Sequence, residues 1–151
     1  MLVTNKSNPN KPPRIMIYGG EGTGKTTFGA KSDKPIFLAA EGGTDQATDS
    51  NGNPIEELSN IRTWDNARTA IKQLISEKHD FKTLVIDSVD WLEKLAHVHI
   101  VGNSGKSITT CNGGYGAGYR HAELMHKELI DELSQLREKR GMGIVLVSHC
   151  H

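Results

Sequence analysis

Residues 19–26 read Gly-Gly-Glu-Gly-Thr-Gly-Lys-Thr and fit the pattern G-x-x-x-x-G-K-[ST] without a mismatch. Glycines let successive backbone N–H groups turn toward one anion, because no Cβ blocks the approach. Lys25 can reach the β- and γ-phosphates of a nucleotide, and the hydroxyl of Thr26 can bind Mg²⁺. The pattern predicts a loop that binds the phosphates of ATP or ADP through Gly19, Gly20, Glu21, Gly22, Thr23, Gly24, Lys25, Thr26 and Thr27.

The sequence on either side of this phosphate loop supports the prediction. Residues 14–18 form a short apolar run typical of a buried strand, and residues 26–31 can open a helix. A strand, a glycine loop and a helix are the order that the motif requires, since the helix directs its positive end at the phosphates. The alternative, a glycine-rich surface turn with a chance lysine, does not explain why motif and flanks agree.

Length and charge limit the class of protein. The 151 residues are enough for one domain with a hydrophobic core, and 18 basic residues balance 18 acidic ones. No global field therefore draws the chain to nucleic acid or to a membrane. Two cysteines form no disulfide framework and no apolar run spans a bilayer, so we expect a cytoplasmic protein without a membrane partner. We expect residues 1–13 to be a flexible lead and residues 14–151 to form the domain.

The remaining chain alternates between strand and helix patterns, which predicts an α/β fold. We expect three layers, with a mostly parallel sheet and helices on both faces. The predicted strands cover residues 14–18, 35–40, 61–64 (a short edge strand), 83–87 and 143–148. The predicted helices cover residues 65–77, with Asp65 as N-cap, 90–100 and 120–139.

Acidic side chains follow two of these strands. Asp87 ends the most apolar strand, where an acid can hold Mg²⁺ directly or through water. The alternative is a helix N-cap, because Asp87, Ser88 and Asp90 all precede a helix. Glu41 ends the second strand, and ligands of such sheets bind outside the carboxyl ends of the strands. Glu41 is therefore placed to orient or deprotonate an attacking water, unless it is a solvated loop acid.

His149 ends the last strand at the same edge of the predicted sheet. It could contact the γ-phosphate of a bound nucleotide or respond to its presence. The alternative is that His149 lies near the end of the chain and has no functional role.

Four stretches, taken in order, resemble the RecA-like ATPases. They are residues 19–26, residues 37–43 (Phe-Leu-Ala-Ala-Glu-Gly-Gly), residues 84–88 (Leu-Val-Ile-Asp-Ser) and residues 145–149 (Val-Leu-Val-Ser-His). More narrowly, residues 85–92 and 115–119 are similar to the phage-encoded, AAA-type nucleotide-binding ATPases with a RecA core. Some members of that family act in single-strand annealing and homologous recombination.

The resemblance implies roles for three residues. Glu41 matches the acid that activates water, and Asp87 matches the acid linked to Mg²⁺. His149 stands where RecA has a glutamine that senses the γ-phosphate. The resemblance also implies a homo-oligomer, because RecA-like cores commonly complete the site from a neighbouring subunit. The chain stops shortly after its last predicted strand, where RecA cores continue, so we expect either a fragment or a shortened sheet.

The glycine-rich residues 101–119 lie near the place of the first DNA-binding loop of RecA-like proteins. Lys106 and Arg120 could meet phosphates of single-stranded DNA, and Tyr115 and Tyr119 could stack on its bases. The alternative is a mobile loop whose glycines serve flexibility alone.

Three functions are compatible with the sequence. The first is an ATPase of phage DNA recombination or annealing that binds Mg–ATP. The second is a nucleotide-binding switch that acts through protein contacts, and the third is a small-molecule kinase on the same loop. The third lacks an evident arginine-rich lid.

Overall fold

The computed structural model describes residues 1–40 and 42–150, which contain five strands and four helices. The strands are β1 Arg14–Gly19, β2 Pro35–Ala39, β3 Glu56–Glu57, β4 Thr83–Asp87 and β5 Gly143–His149. The helices are α1 Lys25–Ala30, α2 Trp64–Ser76, α3 Val89–Val101 and α4 Ala117–Arg140.

All five strands pair in parallel in the order β1-β5-β4-β2-β3. β5, the last strand in sequence, therefore lies between β1 and β4. Its register places Gly19 opposite His149 on one side and Asp87 opposite Val147 on the other. Because parallel strands end at a common edge, the phosphate loop, the end of β4 and the end of β5 meet there. The predicted α/β fold with a parallel sheet is confirmed.

The two faces of the sheet are covered unequally. One face packs against α2, α3 and α4, and its core contains buried side chains such as Leu38, Leu84, Ile86, Trp64 and Leu133. The other face is covered by the short α1 and by the segment that carries Ala47 and Ile55. Side chains alternate between the faces with the two-residue period of a strand.

Two details of the predicted secondary structure are wrong. Residues 61–64 do not form the edge strand; β3, Glu56–Glu57, pairs with Ile36 and Phe37 of β2 instead. Helix α2 begins at Trp64, and its N-cap is Thr63, whose hydroxyl accepts the Asn66 N–H, so Asp65 is a first-turn residue. The helix therefore starts one residue earlier than predicted, and its first residue, Trp64, is buried in the core.

Helices α2 and α4 are tied together by an ion pair at their junction. The Arg68 guanidinium donates to Glu132 at 2.5 and 3.2 Å and to Glu128 at 2.7 Å. The hydrogen bonds that Arg68 donates to Glu132 hold the pKa of Arg68 above its ordinary value, against the effect of burial. This contact holds α4 against α2.

Candidate nucleotide-binding site

The phosphate loop connects β1 to α1, and its glycines leave space in front of the backbone. Helix α1 begins directly after Gly24, which has a left-handed φ of 89° and makes no side-chain cap. A Cβ built on Gly20, Gly22 or Gly24 would meet no heavy atom within 4 Å. The space beside these Cα atoms is therefore open, as a phosphate-binding loop requires.

Lys25 is 7% exposed, and its ammonium group lies over the loop. The Nζ atom donates to the Gly19 carbonyl at 2.8 Å and to the Gly20 carbonyl at 2.5 Å, and it lies 3.4 Å from the Thr23 hydroxyl. These contacts hold a positive charge at the centre of the loop. A phosphate there would compete with two carbonyl oxygens for the same ammonium group, and the charge favours the phosphate.

Thr26 and Asp87 are 61 residues apart in sequence and meet in space. The Thr26 hydroxyl donates to Asp87 Oδ2 at 2.5 Å. Ser88, not Asp87, caps α3, because its hydroxyl accepts the Trp91 N–H at 3.3 Å. The Asp87 carboxylate is thus directed to the loop. A hydroxyl and a carboxylate are oxygen ligands of the kind that Mg²⁺ prefers.

His149 faces the phosphate loop across a cleft of about 320 Å³. The residues that line the cleft are Glu21, Gly22, Thr23, Gly24, Lys25, Thr26, Thr27 and His149. Nδ1 of His149 is buried and has no hydrogen-bond partner among the described residues. A buried nitrogen without a partner is costly, and the ring that carries it lines the cleft.

Glu41 lies outside the described residues. β2 ends two positions before it, at Ala39, which is the register partner of Asp87.

A family model described as an AAA domain matches residues 11–151. The chain belongs to this AAA-domain family. The match covers the phosphate loop, Asp87 and His149, and the family is one of P-loop ATPases, which agrees with the loop geometry. A search of curated proteins gave no match.

Asp90 is a residue of this AAA domain that sequence reasoning considered only as part of a helix start. Its Oδ2 accepts the His149 N–H at 2.8 Å, and its Oδ1 accepts the Ser148 hydroxyl at 3.3 Å. Burial raises the pKa of the Asp90 carboxyl, but hydrogen bonds from His149, from its own N–H and from Ser148 together hold the pKa below its ordinary value. The available signal was its position, three residues after the strand-end acid on the first turn of α3.

The residues predicted to contact DNA lie apart from this cleft. Residues 102–116 form the α3–α4 segment of the AAA domain, which contains Lys106 and Tyr115. Tyr115 is 99% exposed and has a left-handed φ of 53°, and Arg120 donates to its carbonyl oxygen at 3.5 Å. Tyr119 is half-exposed and packs edge-on against His97, with ring centroids 5.7 Å apart. None of the four lines the cleft at the phosphate loop in the described part of the chain.

The α3–α4 segment is held by its own contacts. The Ser107 hydroxyl is hydrogen-bonded to the hydroxyls of Thr109 and Thr110, and Cys111 is buried. A Cβ on Gly118, in the first turn of α4, would lie 2.1 Å from the Ile108 carbonyl oxygen. A side chain at position 118 would clash with the backbone of the α3–α4 segment, so the close packing there requires glycine.

No helix in residues 1–40 and 42–150 combines the length and apolar character needed to cross a membrane.

Proposed function

We propose that this AAA domain binds Mg–ATP in the cleft between the phosphate loop and the end of β5, and that it hydrolyses ATP. The observation that carries the proposal is the contact of Thr26 with Asp87 at 2.5 Å. It joins the loop hydroxyl that we assign to Mg²⁺ to a strand-end carboxylate, and the neighbouring residue of the loop is the buried Lys25. A chance glycine turn has no reason to assemble these three groups.

In this proposal the loop binds the phosphates through its backbone N–H groups. The open space at Gly20, Gly22 and Gly24 admits the phosphate oxygens, and Lys25 exchanges its carbonyl contacts for the β- and γ-phosphates. The ring of His149, which lines the cleft, contacts the nucleotide on the γ-phosphate side.

The donor set at Thr26 and Asp87 fits Mg²⁺, and these two residues would hold it. If bound there with ATP, the ion would neutralise negative charge on the phosphate oxygens. The short hydrogen bond between Thr26 and Asp87 keeps the two oxygen donors in one place.

Hydrolysis then needs a residue that positions water, and we assign this role to Glu41. A water attacks the γ-phosphorus, its proton passes to the Glu41 carboxylate, and the bond to the β-phosphate oxygen breaks. Lys25 and the loop N–H groups stabilise the charge that develops on the phosphate oxygens. We expect a neighbouring copy of the chain to complete the site, so turnover is slow when the chain is monomeric.

The test is a pair of measurements on the same protein: ATP affinity with and without Mg²⁺, and release of inorganic phosphate. Wild type should bind ATP and release phosphate. The Glu41→Gln variant should bind ATP with similar affinity but release phosphate at least about 100-fold more slowly. A wild type that binds neither ATP nor ADP would refute the proposal.

The same measurements separate the alternatives. Tight binding with no phosphate release at any protein concentration would favour a nucleotide switch that acts through a protein contact. Phosphate that appears on a small acceptor and not in water would favour a kinase.

A second candidate function is ATP turnover coupled to single-stranded DNA, as in recombination or annealing proteins encoded by phages. The observation that favours it is Tyr115, which exposes its whole ring from a left-handed backbone conformation next to Arg120. Strained, exposed aromatic residues in loops are typical of ligand contact. A rate of phosphate release that rises when single-stranded DNA is added would support this function. A rate that does not change with DNA would count against it.

A further inference from the structure

The end of β5 extends beyond β4. β4 stops at Asp87, opposite Val147, whereas β5 continues through Ser148 to His149. On the other side, β1 accompanies β5 as far as Gly19, opposite His149. The last two residues of β5 thus have a strand neighbour on the β1 side alone among the described residues.

Asp90 occupies the side that β4 leaves open. The Cys150 N–H donates to the Gly19 carbonyl at 3.1 Å, toward β1. Because successive N–H groups of a strand point in opposite directions, the His149 N–H points away from β1, to where β4 has ended. The Asp90 carboxylate accepts this N–H at 2.8 Å and so takes the place of a strand carbonyl.

This contact fixes the backbone from which the His149 ring enters the cleft. Val145 and Val147 belong to the core on the α1 face of the sheet. His149 is the next residue in the two-residue period, so its ring lies on the same face, with the phosphate loop. Ser148 points to the opposite face, where α3 lies, and its hydroxyl donates to the same carboxylate at 3.3 Å.

We infer that Asp90 is a positioning residue for nucleotide recognition. It holds the end of β5 so that His149 meets the γ-phosphate, and it thereby sets the preference for ATP over ADP. The inference rests on the proposed function, because it needs a nucleotide in the cleft. It adds a residue of α3 to a site that otherwise consists of the phosphate loop and strand ends.

A purely structural role for Asp90 would give different behaviour. Asp90 lies in the first turn of α3, where a negative charge stabilises the helix. Loss of that charge lowers stability without changing the ratio of ATP to ADP affinity. An asparagine at this position keeps an oxygen acceptor for the His149 N–H but has no charge, so it separates the two roles.

The experiment titrates ATP and ADP against wild type, Asp90→Ala, Asp90→Asn, His149→Ala and the double variant Asp90→Ala/His149→Ala. The control is Glu93→Ala, which removes an exposed acid one turn further along α3. Thermal unfolding of each variant shows that it is folded.

We expect Asp90→Ala to lower the ATP-to-ADP affinity ratio about tenfold, with ADP affinity nearly unchanged. Asp90→Asn should restore most of the ratio, and Glu93→Ala should leave it at the wild-type value. The ATP-to-ADP affinity ratio of the double variant should be no lower than that of His149→Ala, because the two substitutions remove the same interaction.

An unchanged ratio in Asp90→Ala, in a protein that binds ATP normally, would overturn the inference and leave the proposed function intact. So would an Asp90→Asn variant as impaired as Asp90→Ala, because charge alone would then explain the effect. Failure of wild type to bind either nucleotide would instead refute the proposed function, and the inference with it.

Discussion

The phosphate loop and the α3–α4 segment are both rich in glycine, and each leads into a helix in the same way. Gly24 precedes α1 with a φ of 89°, and Gly116 precedes α4 with a φ of 73°; neither helix has a side-chain cap. In the phosphate loop, a Cβ on Gly20, Gly22 or Gly24 would meet only open space. At the start of α4, a Cβ on Gly118 would overlap the Ile108 carbonyl.

Glycine therefore serves two physical purposes in one chain. In the phosphate loop its missing side chain leaves open space beside the backbone, where we propose that phosphate oxygens approach. Beside the α3–α4 segment its missing side chain lets two parts of the backbone pack in contact. The comparison predicts that substitutions in the first loop change nucleotide affinity, whereas those at Gly118 change stability.

The largest expected effect is at Lys25. Lys25→Ala removes the ammonium group that lies over the loop carbonyls and should weaken ATP binding by about 100-fold, while the fold remains intact. A fluorescent-nucleotide titration and a thermal unfolding curve measure the two quantities. Lys78→Ala, at an exposed lysine after α2, is the matched control. Unchanged ATP affinity in Lys25→Ala would refute the assignment of the loop.

The comparison of the glycines is tested directly by two alanine substitutions. Gly118→Ala forces a methyl group against the Ile108 carbonyl and should lower the free energy of unfolding by about 2 kcal/mol. Gly20→Ala should leave that free energy unchanged within about 0.5 kcal/mol but weaken ATP binding, because the methyl group stands where phosphate oxygens approach. Denaturant unfolding and nucleotide titration report the two effects. A loss of stability in Gly20→Ala together with unchanged stability in Gly118→Ala would contradict the roles assigned to the two glycines.

The contact of Thr26 with Asp87 predicts a dependence on metal. Asp87→Asn should reduce the gain in ATP affinity on adding Mg²⁺ by about tenfold, and it should leave the affinity measured in the presence of a chelator nearly unchanged. Titrations with and without Mg²⁺ measure the difference. Asp131→Asn, at an exposed acid of α4, controls for the loss of one charge. An equal loss of ATP affinity with and without Mg²⁺ would indicate that Asp87 affects only the structure of the loop.

The smallest expected effect concerns the α3–α4 segment. If Tyr115 stacks on bases, Tyr115→Ala should weaken binding to single-stranded DNA by about fivefold, and Lys106→Ala should reduce the salt dependence of binding. Fluorescence anisotropy at several salt concentrations measures both. Binding that is unaffected by either change would leave the segment with a packing role.

Local patterns were sufficient for most of the fold. The predicted strands at residues 35–40, 83–87 and 143–148 match β2, β4 and β5 within one residue at each end. Their apolar, β-branched runs are distinct from the helical patterns around them. The edge strand was misplaced because β3 is two glutamates, Glu56–Glu57, whose sequence carries no strand pattern. Its pairing with β2 depends on tertiary context.

The candidate site was predictable to the extent that its chemistry is local. The phosphate loop is a continuous motif, and Asp87 is marked by the strand that it ends. Asp90 was missed as a partner of His149, because their contact joins residues 59 positions apart. No spacing rule along the chain indicates such a contact.

The sequence by itself determined the phosphate-binding loop and the alternation of strands and helices, because both follow from residue chemistry over a few neighbouring positions. The tertiary structure decided that β5 lies between β1 and β4, which brings His149 to the loop and Asp90 to the end of β5. That arrangement depends on which strands pair and in which register. Strand pairing is a property of the packed sheet as a whole, and no short stretch of residues encodes it.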